Sequence, residues 1–251
     1  MSEELYVGYL EHGPLATMRF VRARVRLAIL GSMLVAAVLA ASQPRFAKAF
    51  FEYGNTRTID GWLQAEPYPT LVVRRPGTAD SWSRYLLTSF GKFGAPEELA
   101  AWAGRKVRLT GTLVFRDDQT MLELSGDAPA ELAADPDEIP PSSLPTADLG
   151  RRVLSGEIVD SKCFLGVMKP GHLETHRACA VRCISGGVPP ILLVRDERGS
   201  PTYYLLADAE GRPVGRRLLD RIAEPVEVSG RVLVFGDRLL LLAAPEAIRP
   251  R

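Results

Sequence analysis

Cysteine and histidine are scarce in this chain, three of each in 251 residues. Three cysteines cannot build the multiple bridges of a disulfide-framework fold. No C-x-x-C-H occurs, so covalently attached c-type haem is not expected. A phosphate-cradling glycine loop, a Ser/His/Asp arrangement and a pair of catalytic carboxylates are also missing. An enzyme with its own turnover is therefore not expected. Neither charge dominates: 31 Lys and Arg stand against 30 Asp and Glu, a net charge of +1, which argues against nucleic acid as a partner.

Acid is absent altogether between Glu11 and Glu52. Within that gap Arg19, Arg22, Arg24 and Arg26 precede an apolar run over residues 27–41, followed by Arg45 and Lys48. The excess of arginine on the N-terminal side predicts a single-pass anchor in the inner (cytoplasmic) membrane. Residues 1–20 are read as a cytoplasmic tail and 21–44 as the transmembrane segment, with the remainder in the periplasm. The run is short for a bilayer that needs about 20 residues. A removed signal peptide is the alternative, and Ala47, Lys48 and Ala49 have the small-x-small form of a cleavage site. Both readings export the rest of the chain.

Beyond the apolar run, 46% hydrophobic content with 22 Gly and 19 Pro describes short strands and turns around real cores. The strand-like segments fall into two similar series. The first runs IDGWLQ, PTLVVRR, SRYLLTS, a helical EELAAWAG, RKVRLTGTLVF, a turn at Asp117 and Asp118, and TMLELSG. The second runs LSGEIVD, PPILLVRDERG, TYYLLAD, a helical GRRLLDRIA, EPVEVSGRVLVF, a turn at Gly236 and Asp237, and RLLLLAA. Val107 matches Val226, Gly111 matches Gly230, Leu99 matches Leu218, and the Tyr85-Leu86-Leu87 triplet matches Tyr204-Leu205-Leu206.

Five strands with a helix between the third and fourth is the plan of an OB-type barrel. The expected fold is therefore mainly β: two tandem OB-like five-stranded barrels, each with a short helix, after one N-terminal transmembrane helix. The barrels are placed at 50–126 and 150–251, and a small open sandwich is the alternative for the same strands. Leu99, Trp102 and Ala103 in one helix, and Leu218, Leu219 and Ile222 in the other, have the spacing to face a core. Residues 127–149, acidic and stiffened by Pro136, Pro140, Pro141 and Pro145, are read as a semi-extended linker.

One difference between the copies stands out. Gly61 and Leu71 are 10 residues apart, whereas the matching Gly156 and Ile191 are 35 apart, so the second copy has an insertion of about 25 residues. That insertion, within residues 160–187, holds every cysteine and all the histidine except His12. Loops mounted on a rigid barrel are a usual place for function. The first barrel, without such a loop, is expected to be a spacer or a docking surface.

Residues 171–183 are punctuated as a short helix, with Pro170 before them and Gly186, Gly187, Pro189 and Pro190 after. At about 100° per residue His172, His176, Cys179 and Cys183 share an arc of about 60°, but His172 and Cys183 stand roughly 16 Å apart along the axis. One ion cannot bind both. Cys179 and Cys183 lie one turn apart, His176 one turn below, and Cys163 can fold over from the preceding loop. Cys163, His176, Cys179 and Cys183 are therefore the expected metal ligands, with His172 and Met168 as possible extras.

Zinc would take the Cys3His set as a closed tetrahedron. Copper suits thiolate, imidazole and the thioether of Met168. A three-cysteine, one-histidine iron–sulfur cluster is a third option. Against metal stand a thiol–disulfide redox site, with Lys162, Arg177 and Arg182 lowering thiol pKa values, and inert buried cysteines. Asp160 can orient a histidine or simply end a strand.

The C-x-x-x-C beside a histidine is similar to elements of exported copper carriers and of the binuclear copper centre of respiratory oxidases. Over residues 150–240 the D-x-K-C and H-x-x-C-x-x-x-C motifs resemble a group of bacterial exported or membrane-anchored small β-barrel proteins without an assigned activity, which implies the barrel fold and nothing about chemistry. The functional expectation is a membrane-anchored periplasmic metal-binding protein for metal handling, cofactor delivery or electron transfer, partnered by a membrane-protein complex or a metal-receiving protein. The alternative is a structural subunit whose loop is stapled by a disulfide.

Overall fold

A computed structural model describes residues 14–46, 49–75, 82–134, 142 and 144–251. Helix α1, Leu15–Phe46, is 32 residues long. Its Leu15–Ser42 stretch is long and apolar enough to cross a membrane. At about 1.5 Å per residue the helix measures about 48 Å, more than the roughly 30 Å of a hydrocarbon core. The short apolar run thus sits within a longer helix that includes the arginines and residues 15–20. His12 and the rest of 1–13, and the Ala47 and Lys48 of the cleavage motif, lie outside the described residues.

The other unit, Lys48–Arg251, contains both barrels. The first is built from β1 (Ala49–Phe51), β2 (Arg57–Gln64), β3 (Thr70–Arg74), β4 (Trp82–Thr88), β5 (Lys106–Arg116), β6 (Gln119–Leu124) and β7 (Ala130–Glu131). Strands β2, β3, β4, β6 and β5 close on themselves, with β4 and β6 parallel and the other ladders antiparallel. In the second barrel β8 (Ala147–Asp160), β9 (Pro190–Arg195), β10 (Pro201–Ala207), β11 (Pro225–Phe235) and β12 (Arg238–Leu242) close in the same order, and β13 (Ile248–Pro250) adds to β11. Closure, rather than an open sandwich, leaves few edges.

The inter-element helices are 3-10 segments, Glu97–Trp102 and Gly215–Arg221. Leu99, Leu218 and Ile222 plug their barrels, with Trp102 and Leu219 partly covered. Ala103 is exposed, because the 3-10 segment ends at Trp102 and Ala103 turns to extended backbone. The stretch read as a linker is partly sheet: β7 pairs with β5, and β8 begins at Ala147. Pro136, Pro140 and Pro141 lie outside the described residues.

Register confirms the internal match and adjusts it. Tyr85 faces Leu71, and Tyr204 faces Leu192, so Leu71 corresponds to Leu192 rather than to Ile191. Paired glycines mark the closest strand approaches. A Cβ at Gly111 would lie 2.3 Å from the Glu123 carbonyl oxygen, and one at Gly230 2.5 Å from that of Leu242. The strongly bent strands of a small barrel leave no room for a side chain at these positions.

The two barrels share a buried apolar seam. Leu86, Val114 and Met121 of the first meet Val159, Ile191, Leu205 and Leu240 of the second, with Phe164 and Leu165 of the insertion among them. Polar groups are satisfied across it. Tyr68 donates its hydroxyl to the Leu206 carbonyl at 2.9 Å, and the buried Arg238 guanidinium donates to the Gln119 side-chain oxygen at 3.0 Å and to the carbonyls of Arg84 and Thr120. The first barrel is therefore no spacer; it forms one wall of the insertion's surroundings.

Candidate metal centre

The insertion leaves the barrel at Asp160, the last residue of β8. Asp160 is fully buried, and its Oδ1 accepts the Cys163 backbone N–H at 2.8 Å, which caps the helical turn that follows. That turn is a wide one over Cys163–Val167 and places Phe164 and Leu165 in the seam. Gly166 lies against the first barrel, where a Cβ would come 2.5 Å from the Phe50 carbonyl oxygen. Gly171 then returns past Cys163, with no space for a side chain.

The expected continuous helix is interrupted. Leu173 adopts φ 67°, so only a short 3-10 turn, Glu174–His176, precedes helix α2, Arg177–Ser185. His172 therefore does not share a helix face with the cysteines. It packs edge-on to Phe164, with ring centroids 5.9 Å apart, and partial burial lowers its pKa. Met168 is 44% exposed.

Helix α2 buries Ala180 and Ile184 on the end of the second barrel, which fixes its rotation and aims Cys179 and Cys183 at Cys163. The sulfur of Cys163 lies 3.7 Å from that of Cys179 and 3.9 Å from that of Cys183. All three sulfurs are within 4.8 Å of one another. These separations are far beyond a disulfide bond of about 2.05 Å. Around a single ion with bonds of about 2.3 Å, sulfurs sit about 3.8 Å apart in a tetrahedron and about 4.0 Å apart in a trigonal plane. Cys163 and Cys183 are buried, and Cys179 is half-buried.

His176 is also buried, and its Nε2 lies 3.0 Å from Asp160 Oδ2. An ionised carboxylate only accepts, so with Asp160 charged this pair places the imidazole proton on Nε2 and leaves Nδ1 a lone pair. Asp160, Cys163 and His176 form a second close group. The four residues expected to ligate thus gather in two overlapping sets that share Cys163: the three thiols on one side, His176 with Asp160 on the other. Asp160 both ends the strand and orients the histidine.

Two lysines divide roles in a way the sequence does not suggest. Lys162, expected to tune the neighbouring thiol, is 2% exposed and points away into the seam. It pairs with Glu123 and donates to the carbonyls of Ser89 at 2.7 Å and Gly91 at 2.8 Å. The residue at the thiols is Lys92 of the first barrel, whose Nζ donates to Cys179 Sγ at 2.7 Å. That hydrogen bond, more than any opposing burial, raises the Lys92 pKa. Arg177 binds Glu224, and Arg182 is exposed.

The same hairpin is therefore held by opposite charges in the two copies. Between β10 and the following 3-10 segment, the Asp208 carboxylate accepts the N–H groups of Glu210 and Arg212. Between β4 and its 3-10 segment, the Lys162 ammonium binds carbonyls instead. An ammonium from the insertion pins the loop that carries Lys92.

Within the thiol set, a hydrogen bond to Cys183, burial and the Asp160 carboxylate push the Cys163 pKa up. The same bond lowers the Cys183 pKa against the effect of burial, helped by the Lys92 charge. A thiol that ligates an incoming cation gives up its proton to do so.

No protein-family model, curated protein or solved structure matches this chain. The site is read from its own geometry.

Proposed function

We propose that the chain is a membrane-anchored metal-binding protein of the inner membrane, with its barrels in the periplasm. Helix α1 serves as the anchor, and the arginine-rich start of the helix sets the orientation. Cys163, Cys179 and Cys183 hold a transition metal ion, copper or zinc, with His176 beside them. The partner is a metal-receiving protein or a membrane complex, reached by metal handling, cofactor delivery or electron transfer. The reading is supported by one observation: three sulfurs from two separate segments converge within 4.8 Å of one another, close enough to hold a single ion.

Anaerobically prepared full-length protein in detergent is expected to retain about one equivalent of a transition metal, and Cys183→Ser to lose it. Elemental analysis reads both. Less than a tenth of an equivalent in the parent would sink the proposal. Counting thiols after chelation separates the disulfide-stapled alternative: three titratable thiols are expected, whereas a stapled loop leaves one.

A further inference from the structure

We infer that the thiol pocket is an open, three-coordinate site for a soft monovalent ion, copper(I), built for transfer rather than a closed structural zinc site. This rests on the metal-binding reading above and names its ion. The sulfur spacing suits both geometries, so the fourth position decides.

On one side of the sulfurs stands Lys92, hydrogen-bonded to Cys179 and facing all three thiols electrostatically. An ammonium has three donors and no lone pair, so it cannot ligate. His176 groups with Cys163 and with Asp160 but not with all three sulfurs. A zinc site closed as Cys3His would need the imidazole or the thiols to move, because His176 does not group within ligand reach of Cys163, Cys179 and Cys183 together; zinc in structural sites is almost always four-coordinate. Copper(I) is content with soft thiolates alone.

Charge and access agree. Three thiolates around a monovalent ion leave two negative charges, and Lys92 supplies compensation at the sulfur nearest solvent. Cys163 and Cys183 are buried, and Cys179 alone is half-buried, so exchange with an incoming thiolate proceeds through Cys179. Binding breaks no covalent bond except S–H: each thiol that ligates releases one proton, and the ion keeps its oxidation state. Lys92 belongs to the first barrel, so the site is complete only when the two barrels are docked.

Full-length protein in detergent is titrated anaerobically with copper(I) against a chromophoric chelator, and separately with zinc(II). Copper(I) is expected to bind at one equivalent, at least about a thousand-fold more tightly than zinc. Cys179→Ser should weaken copper(I) by at least about a hundred-fold. His176→Gln should leave it within about three-fold, since the imidazole is not a ligand. Lys92→Met, which removes the compensating charge, should lower the copper-to-zinc preference by at least about ten-fold. Preferential zinc binding that His176→Gln abolishes would overturn the three-coordinate copper assignment and leave the metal-binding proposal standing. Failure of the parent to bind either ion would overturn both.

Discussion

Lys162→Met is expected to destabilise the Lys48–Arg251 unit by about 3–5 kcal/mol, the range for breaking one partner of a buried ion pair. Lys162 is among the largest fully buried side chains, and Glu123 opposite it is only 11% exposed. Methionine matches the length of the stem but leaves the Glu123 carboxylate without its cation and the carbonyls of Ser89 and Gly91 without their donor. Each loss carries a desolvation cost that water cannot recover in the seam. A thermal melt of the full chain should shift down by about 10 °C. The double variant Lys162→Met with Glu123→Leu should recover much of the loss, because two apolar groups can replace a buried pair at little cost. A single variant within about 1 kcal/mol of the parent would show that the lysine does not hold the seam.

The second large effect is steric. Gly186→Ala places a Cβ 2.0 Å from the Lys92 carbonyl oxygen, and Gly94→Ala places one 2.3 Å from that of Gly187. Both obstacles are backbone, so no side chain can swing aside. Between them runs the hydrogen bond from Gly94 N–H to the Gly186 carbonyl, at 2.8 Å. Either substitution must part the end of helix α2 from the loop that carries Lys92. We expect about 3 kcal/mol or more of destabilisation, at the upper end of overpacking costs. Gly54→Ala is the control. Its φ of +83° is strained for alanine but nothing lies within 4 Å, and about 1 kcal/mol is expected. Effects at Gly94 and Gly186 no larger than at Gly54 would show that these close contacts relax and carry no steric cost.

Much of the fold was legible. Alternating apolar residues and turn pairs at Asp117–Asp118 and Gly236–Asp237 marked the strands, and both turns lie where expected. Comparing the copies isolated the insertion, and Cys163 does fold back onto the Cys179 and Cys183 turn. What was not legible has a common cause. The break at Leu173, with φ 67°, precedes the helix that seats Ala180 and Ile184 on the barrel end, and local propensity does not signal it. Lys92 is 87 residues from Cys179 and reads as one more surface lysine. Lys162 sits next to a cysteine in the chain, yet its ammonium serves the opposite barrel.

Local pattern alone determined the apolar helix, the repeated strands with their matched Gly111 and Gly230, and the clustering of every thiol in one loop. Those features depend on side-chain period and composition, which neighbours in sequence already express. Tertiary structure decided which lysine faces the thiols, that the histidine is held by Asp160, and that both barrels build one site. These depend on how two separately patterned surfaces meet, and burial there is set by contacts between residues far apart in the chain.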